Sequence, residues 1–299
     1  MMKRKSIAAL ALAAVCTIST CTFDAPAMAA PLPATTATTA ETASGSAITT
    51  SKEDAGIQSV TVTTKTYKKT YKTKVTVKNK KKKITKTRTY KTLDYAYPVL
   101  KADSDSDAAS IQKINKYLVS EKNKWVKENT NSLKQDKKDY IDFVKIAYSY
   151  DKKFPSCYYG NEQNYEVTYN KNGIISILCS GYEFPTGAAH GMPYNVSYTF
   201  DLNTGELLTL SDLLSVDNKT TQKLIVSAAS KVINKNPSEY WEDAINIVRE
   251  SAGIQNTNFY LDEKGVVFYY APYELAPYAS GTQFFTVPYT TKDTFKRNL

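Results

Sequence analysis

The dipeptide Asn172-Gly173 constrains the fold most, because it marks a tight turn between two strand-like segments. Both central residues of a two-residue hairpin turn adopt positive φ, which asparagine and glycine tolerate best. Residues 165–169 before the turn and 174–180 after it are rich in β-branched and aromatic side chains, as strands are. The sequence therefore predicts an antiparallel hairpin, and with it an antiparallel sheet.

Helical spacing occurs in other parts of the chain. Ile111, Ile114 and Leu118 recur on one helix face, in a segment that starts after two aspartates able to cap it and that runs to about residue 128. Further helices are predicted at 210–214, 220–234 and 238–252, and further strands at 84–97, 141–151, 194–202, 258–261, 265–270 and 284–289. Hairpins with helices between them indicate an α+β fold of antiparallel sheets with packed helices. We expect two subdomains, 84–193 and 194–299.

The first 30 residues predict an export signal. A basic start precedes a short uncharged apolar stretch, and Ala27 and Ala29 are small residues at positions that suit a signal-peptidase site. The stretch is too short to span a membrane, and no later segment is apolar enough to do so. Cleavage after Ala29 or Ala30 predicts a secreted or cell-wall-associated protein, and lipoprotein processing at Cys21 is the alternative.

A lysine-rich segment follows a spacer of alanine, threonine and serine. From Lys65 to Lys91 there are 13 basic residues and no acidic ones. Without the leader the chain has 36 basic and 28 acidic residues, so the part outside this segment has a net charge of −5. Because the four lysines at 80–83 would repel each other, we expect residues 31–83 to form a disordered spacer and arm.

The charge of this arm predicts the class of its partner. Anionic wall polymers, such as teichoic acids or other phosphate-bearing glycans, suit a lysine-rich segment of an exported protein, and a solubilising tether is the alternative. Nucleic acid is not expected, because the protein is exported and lysine lacks the arginine fork that reads base edges.

Cys157 and Cys179 are the two cysteines outside the leader. Both lie in strand-like sequence near one hairpin, and an oxidising compartment permits a disulfide between them. Two alternatives stay open: a Cys157–Cys179 bridge, or two buried thiols that pack as small apolar side chains.

His190 is the only histidine. A single histidine does not provide a His-rich zinc site or the metal centre of a conventional polysaccharide deacetylase. The sequence also has no nucleophile elbow, P-loop or dinucleotide fingerprint. We therefore expect no enzyme activity, no cofactor and no metal, with a cryptic hydrolase as the alternative. His190 either satisfies backbone groups of its own loop, contacts a ligand, or acts as a catalytic base.

An aromatic, proline-containing loop at 271–282 is a candidate binding surface. Its prolines and Gly281 predict irregular backbone between two strands. Tyrosine on a rigid loop gives a large contact area for little lost side-chain entropy, whereas the alternative is that these rings pack into the core. The candidate contact residues here are Pro272, Tyr273, Glu274 and Tyr278.

Three segments resemble one known domain family. Residues 182–191 read Tyr-Glu-Phe-Pro-Thr-Gly-Ala-Ala-His-Gly, which is similar to the Tyr-Thr-Gly-Gly-Ala-His-Gly signature of that family. Residues 200–214 and 266–281 are the other two segments. The family forms the extracellular part of RsiV-type anti-sigma factors and the non-catalytic N-terminal region of PdaC-type peptidoglycan deacetylases. This chain departs from the signature at Pro185 and Ala188, which puts the backbone of that loop in question.

The resemblance covers about residues 84–290 and implies an α+β fold in two pieces. In the anti-sigma members it also implies that loops of this domain bind lysozyme. The sequence shows no sigma-binding segment, central membrane span or deacetylase domain, so we expect the regulatory and hydrolytic roles not to carry over. The prediction is a non-catalytic envelope module that binds a lysozyme-like protein or a wall glycan through loops 183–193 and 271–282. From the first of these loops the candidate contact residues are Tyr182, Thr186 and His190.

Overall fold

The computed structural model describes residues 56–102, 108–152, 154, 159–185, 188–256, 258–291, 294–296 and 299. The predicted leader, most of the predicted spacer, Cys21, Cys157 and Thr186 lie outside the described residues. No helix in the described part of the chain combines the length and apolar character needed to cross a membrane.

Eight strands and five helices make up the described regions. The strands are β1 (Thr61–Asn79), β2 (Lys82–Lys101), β3 (Tyr159–Lys171), β4 (Ile174–Phe184), β5 (Met192–Asp201), β6 (Phe259–Leu261), β7 (Gly265–Tyr270) and β8 (Gln283–Pro288). The helices are α1 (Ala108–Thr130), α2 (Leu133–Asp151), α3 (Leu210–Leu213), α4 (Asn218–Ile233) and α5 (Ala244–Ser251). Single 3₁₀ turns form at Pro237–Glu239 and Tyr278–Ser280. The α+β prediction is confirmed.

The first sheet has the strand order β1-β2-β3-β4-β5. Its central hairpin, β3 and β4, turns at Asn172 and Gly173 with φ of 55° and 75°, as the sequence predicts. One pairing differs from the predicted antiparallel sheets, because β2 runs parallel to β3 from Lys91 to Tyr95. Parallel neighbours need a long crossover connection, and helices α1 and α2 lie between these two strands in the chain.

The lysine-rich segment is an ordered hairpin, so the predicted disordered arm is wrong for residues 61–79. β1 pairs with β2 along its whole length, and Lys80 takes the turn with φ of 53°. Alternate side chains face opposite sides of a strand. Val75 and Val77 are buried against α2, which leaves the neighbouring lysines on the outer face. The apolar contact with α2 offsets the repulsion among lysines that the sequence analysis emphasised.

Helix α2 replaces the strand that the sequence analysis predicted at 141–151. Tyr140, Val144 and Tyr148 recur every four residues and form its buried face. Their aromatic and β-branched side chains resemble strand composition, which explains the wrong prediction. The segment forms a helix because its buried face packs under the β1–β2 hairpin and covers apolar surface there.

The second sheet has the order β6-β7-β8 and packs between α4, α5 and the first sheet. All six residues of its central strand β7 are buried. β5 belongs to the first sheet, although the sequence analysis assigned residues 194–202 to the C-terminal subdomain. Tyr169 and Ile174 of the first sheet lie in the same apolar cluster as the second sheet, so the two parts share a core.

Lys91 of β2 and Asp136 of α2 form a buried ion pair. Nζ of Lys91 lies 2.7 Å from Oδ2 of Asp136, with only 5% and 10% of the two side chains exposed. The hydroxyl of Ser132 donates to the same carboxylate at 3.0 Å. The pair therefore fixes α2 on the hairpin, and either charge alone would be poorly solvated there.

We predict that Lys91→Met lowers the free energy of unfolding by ~3–5 kcal/mol, because it leaves the Asp136 carboxylate buried without its cation. The double variant Lys91→Met/Asp136→Leu should recover part of that loss, since neither charge remains. Urea unfolding curves measure both changes. Lys171→Met, which removes an exposed ion pair with Glu263, is the control and should change the midpoint little. Equal midpoints for the two lysine variants would contradict the role of the buried pair.

Candidate binding site

Gly191 joins the two loops that the sequence analysis selected. Its N–H donates to the phenol oxygen of Tyr182 at 3.0 Å, and its carbonyl accepts from the hydroxyl of Tyr278 at 2.7 Å. A Cβ on this residue would lie 2.3 Å from Cζ of Tyr182, so only glycine fits against that ring. The loop before β5 and the loop after β7 therefore form one continuous surface.

His190 lies on this surface with its ring exposed. The imidazole stacks on Tyr278 with ring centroids 4.0 Å apart and an interplanar angle of 29°. Nδ1 lies 3.0 Å from the Gly191 carbonyl, which can only accept, so Nδ1 carries the proton of this contact. Nε2 then faces the hydroxyl of Tyr273 at 3.4 Å.

Tyr273 is an exposed ring of the cluster and has an unusual backbone. Half of its surface is exposed, and its φ is 72°, in the left-handed region that bulky residues rarely adopt. The indole N–H of Trp241 donates to the Tyr273 carbonyl at 3.3 Å, and the Trp241 backbone N–H donates to Leu275 at 2.9 Å. Strained residues that their surroundings hold in place cluster at functional sites. The surrounding loop therefore holds this ring towards solvent.

Tyr278 is half-buried and sits between the other rings. Its centroid lies 5.6 Å from that of Tyr273. Its pKa is raised, first by desolvation and then by the neighbouring phenols of Tyr182 and Tyr273. The phenol therefore stays protonated and keeps donating to Gly191.

The remaining predicted contact residues do not all face this surface. Pro272 is buried, so its assignment as a contact residue is corrected: it shapes the loop from inside. Glu274 uses its carboxylate to accept from the backbone N–H of Ala271 at 2.6 Å, which closes the turn that carries Tyr273. Thr186 lies outside the described residues. At the departure Ala188, the backbone N–H donates to the Pro185 carbonyl at 3.1 Å.

Sequence reasoning missed Gly191 and Trp241 as parts of the site. Gly191 is the last residue of the signature and directly follows His190. A glycine at such a position indicates that another group approaches the backbone closely. Trp241 had no such signal, because it lies in the connection between α4 and α5 and reaches the loop only through tertiary packing.

Within the part of the chain that the structure describes, these rings have neither a reactive cysteine nor a metal cluster beside them. Cys179 is a buried free thiol on β4, and burial raises its pKa to about 12, so it packs as an apolar side chain. Across the described residues, no three His, Cys, Asp or Glu side chains are grouped as metal ligands.

Two family models match successive parts of the chain. Residues 84–193 match the model described as "Deacetylase PdaC", and residues 211–290 match the model described as "Protein of unknown function (DUF3298)". The chain is therefore similar to a PdaC region followed by a DUF3298 region. This pair confirms the resemblance drawn from the sequence. Tyr182 and His190 lie in the PdaC match, whereas Tyr273 and Tyr278 lie in the DUF3298 match, so the candidate site forms where the two domains meet.

Two solved structures of DUF3298 family proteins match the chain. A family member from Bacteroides fragilis is 20% identical with a TM-score of 0.48, and the match covers 81% of this chain and 96% of that one. A family protein from Pseudomonas aeruginosa is 17% identical with a TM-score of 0.46, covering 78% of this chain and 94% of that one. No curated protein matches the sequence.

We predict that Gly191→Ala separates the loops of the PdaC and DUF3298 domains. The added methyl group would overlap the Tyr182 ring and should lower the free energy of unfolding by ~1–3 kcal/mol. Urea unfolding gives this change, and near-ultraviolet circular dichroism reports the altered tyrosine packing. Ala188→Ser, an exposed change in the same loop, should leave both signals as they are. A Gly191→Ala protein with native stability and an unchanged spectrum would disprove the close approach.

Proposed function

We propose that this chain is an exported, non-catalytic binding module of the cell envelope, and that it binds a lysozyme-like protein through its aromatic surface. The observation that carries the proposal is the contact of the two loops through Gly191. It brings His190, Tyr273 and Tyr278 together on one exposed surface. Export rests on the N-terminal sequence alone.

The physical character of this surface suits protein recognition. Tyrosine buries a large area while losing only two side-chain torsions, and it is enriched among residues that dominate binding energy. Here Trp241 and Glu274 hold the loop backbone in place before any partner arrives. A surface ordered in advance loses less entropy on association.

The surroundings of His190 support binding rather than catalysis. With Nδ1 donating to the Gly191 carbonyl, Nε2 is the ring atom that could act as a base, and it faces the Tyr273 hydroxyl. Its stacking partner is a neutral phenol. Because Nε2 faces an exposed phenol of the same aromatic surface, this arrangement favours a contact role for His190.

We expect the full chain to bind a purified lysozyme, measured by isothermal titration calorimetry, and the variant Tyr273→Gly to weaken that binding by ~30-fold or more, the loss of one hot-spot side chain. Glycine accepts positive φ, so the change should alter the free energy of unfolding by less than ~1 kcal/mol. His190→Ala should also weaken binding.

The matched control is Tyr150→Ala, which removes a tyrosine that is 83% exposed on α2, away from the loops. It should bind like the unchanged chain. No binding of lysozyme at high micromolar concentration would remove the lysozyme proposal. Binding that survives Tyr273→Gly and His190→Ala would move the interface elsewhere.

A second candidate function rests on the order of the β1–β2 hairpin. The strand alternation that buries Val75 and Val77 leaves Lys72, Lys74 and Lys78 on the opposite face. Lys83 of β2 pairs with Lys78 across the ladder. Alternate residues of a strand lie ~7 Å apart on one face, so the strand aligns these lysines along one side of the hairpin. Such a row suits an anionic wall polymer with repeated phosphates.

We predict that binding of the full chain to purified teichoic acid falls steeply with salt, because counterions are released. Changing Lys72, Lys74, Lys78 and Lys83 to glutamine should reduce the slope of log K against log salt by up to ~3, at roughly 0.7 per ion pair as for single-stranded polyanions. The control changes four exposed lysines of the helices to glutamine and so removes the same charge; these are Lys116, Lys127, Lys137 and Lys138. Equal slopes for the two variants would mean that net charge alone attracts the polymer.

A further inference from the structure

A cleft of about 700 Å³ opens on one face of the first sheet, beside α1. Helix α1 packs on β2, and the ends of β3, β4 and β5 continue past it to form the opposite wall. The start of α2 closes one end of the cleft. The cleft shares Glu183, Pro185, Met192 and Pro193 with the loop before β5, but it contains neither His190, Tyr273 and Tyr278 nor the lysine row.

Aromatic side chains form the floor. Tyr95, Trp125 and Tyr198 are almost fully buried there, and the rings of Tyr95 and Trp125 are 4.9 Å apart. The half-buried Tyr194 lies over Gly181, where a Cβ would come within 2.0 Å of its ring. Glycine on β4 therefore allows the Tyr194 ring to lie across the sheet into the cleft.

Hydrogen bonds keep this floor rigid. The indole N–H of Trp125 donates to the Tyr194 oxygen at 2.7 Å, and the Tyr194 hydroxyl donates to Oε1 of Gln163 at 3.3 Å. The hydroxyl of Tyr198 donates to Glu121 at 3.2 Å. Since these polar atoms already have partners, the floor offers mainly the faces and edges of its rings to a ligand.

The rim of the cleft carries negative charge. Glu121 already interacts with Tyr198 and, at 3.8 Å, with Lys124, and the buried Lys91 is paired with Asp136. Glu128 of α1 and Glu183 of β4 also line the cleft. Within the described residues, neither of these two carboxylates has a salt-bridge partner within 4.0 Å.

Glu128 and Glu183 lie close enough to influence each other. The pKa of Glu183 is raised, first by desolvation; Lys91 lowers it and the charge of Glu128 raises it further. Both carboxylates also raise the pKa of Tyr194, whose own burial is the largest cause. Glu128, Glu183 and Tyr194 therefore line the same cleft, with the Lys91–Asp136 pair buried beside them.

We propose that this cleft binds a cationic group, an ammonium or guanidinium on a short apolar stem, between Glu128 and Glu183. The cation would receive charge-assisted hydrogen bonds from both carboxylates and lie near the face of Tyr194, where the ring quadrupole attracts positive charge. The stem would contact Met192 and Pro193 at the wall. An anion would be repelled by the rim.

This chemistry has two sources, a basic side chain of a polypeptide and a free amine of low mass. Binding to the full chain is measured by isothermal titration calorimetry, so no tryptophan is changed. The probes are Nα-acetyl-arginine methylamide for the first source and agmatine for the second. Nα-acetyl-citrulline methylamide, of nearly the same shape but uncharged, is the ligand control.

Binding of the arginine derivative alone would indicate a polypeptide ligand. Binding of agmatine alone would indicate a free amine, and either result supports the cleft as a cation site. Glu128→Gln and Glu183→Gln should each weaken binding roughly tenfold, the effect of one charge-assisted hydrogen bond. Glu250→Gln, an exposed change on α5, should have no effect. These glutamine variants keep the side-chain shape, and unchanged unfolding curves check that they fold.

Three outcomes would overturn the proposal. They are no binding of either cation at millimolar concentration, equal binding of the citrulline control, and binding that persists in the double variant Glu128→Gln/Glu183→Gln. Because none of these measurements uses lysozyme or teichoic acid, failure here is separate from failure of the functions proposed above.

Discussion

The packing of the second sheet on the first is the constraint on which the site depends. A buried pair of hydroxyls, Ser176 and Thr199, lies 2.9 Å apart on neighbouring strands of the first sheet, and the backbone N–H of Leu261 donates to Ser176 at 3.0 Å. Another alignment of the two sheets would leave these buried polar groups without hydrogen bonds and would destabilise the fold. That alignment brings the loop after β7 against the loop before β5, where Gly191 connects them.

The candidate site follows from this alignment rather than from either domain alone. His190 stacks on Tyr278 across the boundary between the PdaC and DUF3298 matches, and Tyr273 completes the surface from the DUF3298 side. Hydrogen bonds from Trp241 and to Glu274 hold the backbone around Tyr273, whose φ is positive. Relative movement of the two matched regions would therefore separate the rings of this surface.

Charge is separated in space as well as in sequence. The outer face of the β1–β2 hairpin presents lysines, whereas the cleft beside α1 presents Glu128 and Glu183 over aromatic rings. The two surfaces suit ligands of opposite sign. The hairpin row depends on strand alternation, and the cleft depends on Gly181 allowing the Tyr194 ring to cross β4. A polyanion and a cationic group could thus be held by one chain without competing for one surface.

Features that depend on local chemistry can be predicted from neighbouring residues. Asn172-Gly173 specified the β3–β4 turn through its positive φ angles, the spacing of Ile111, Ile114 and Leu118 specified α1, and the composition of 265–270 specified β7. The signature around His190 located one half of the site. These predictions need only the backbone preferences of single residues and the spacing of apolar residues. Both can be read from neighbouring positions in the sequence.

Where local preferences are ambiguous, or where the contacting residue lies far along the chain, the conformation depends on tertiary packing. By composition, Tyr140, Val144 and Tyr148 fit a strand. Their spacing of four residues favours a helix because all three side chains can then pack against the β1–β2 hairpin. The same contact orders β1, because burial of Val75 and Val77 offsets lysine repulsion that acts through water on exposed groups. Exposure of His190, burial of Pro272 and the role of Trp241 likewise depend on which surfaces meet. Burial is a property of the packed chain, and its free energy is not contained in any one segment.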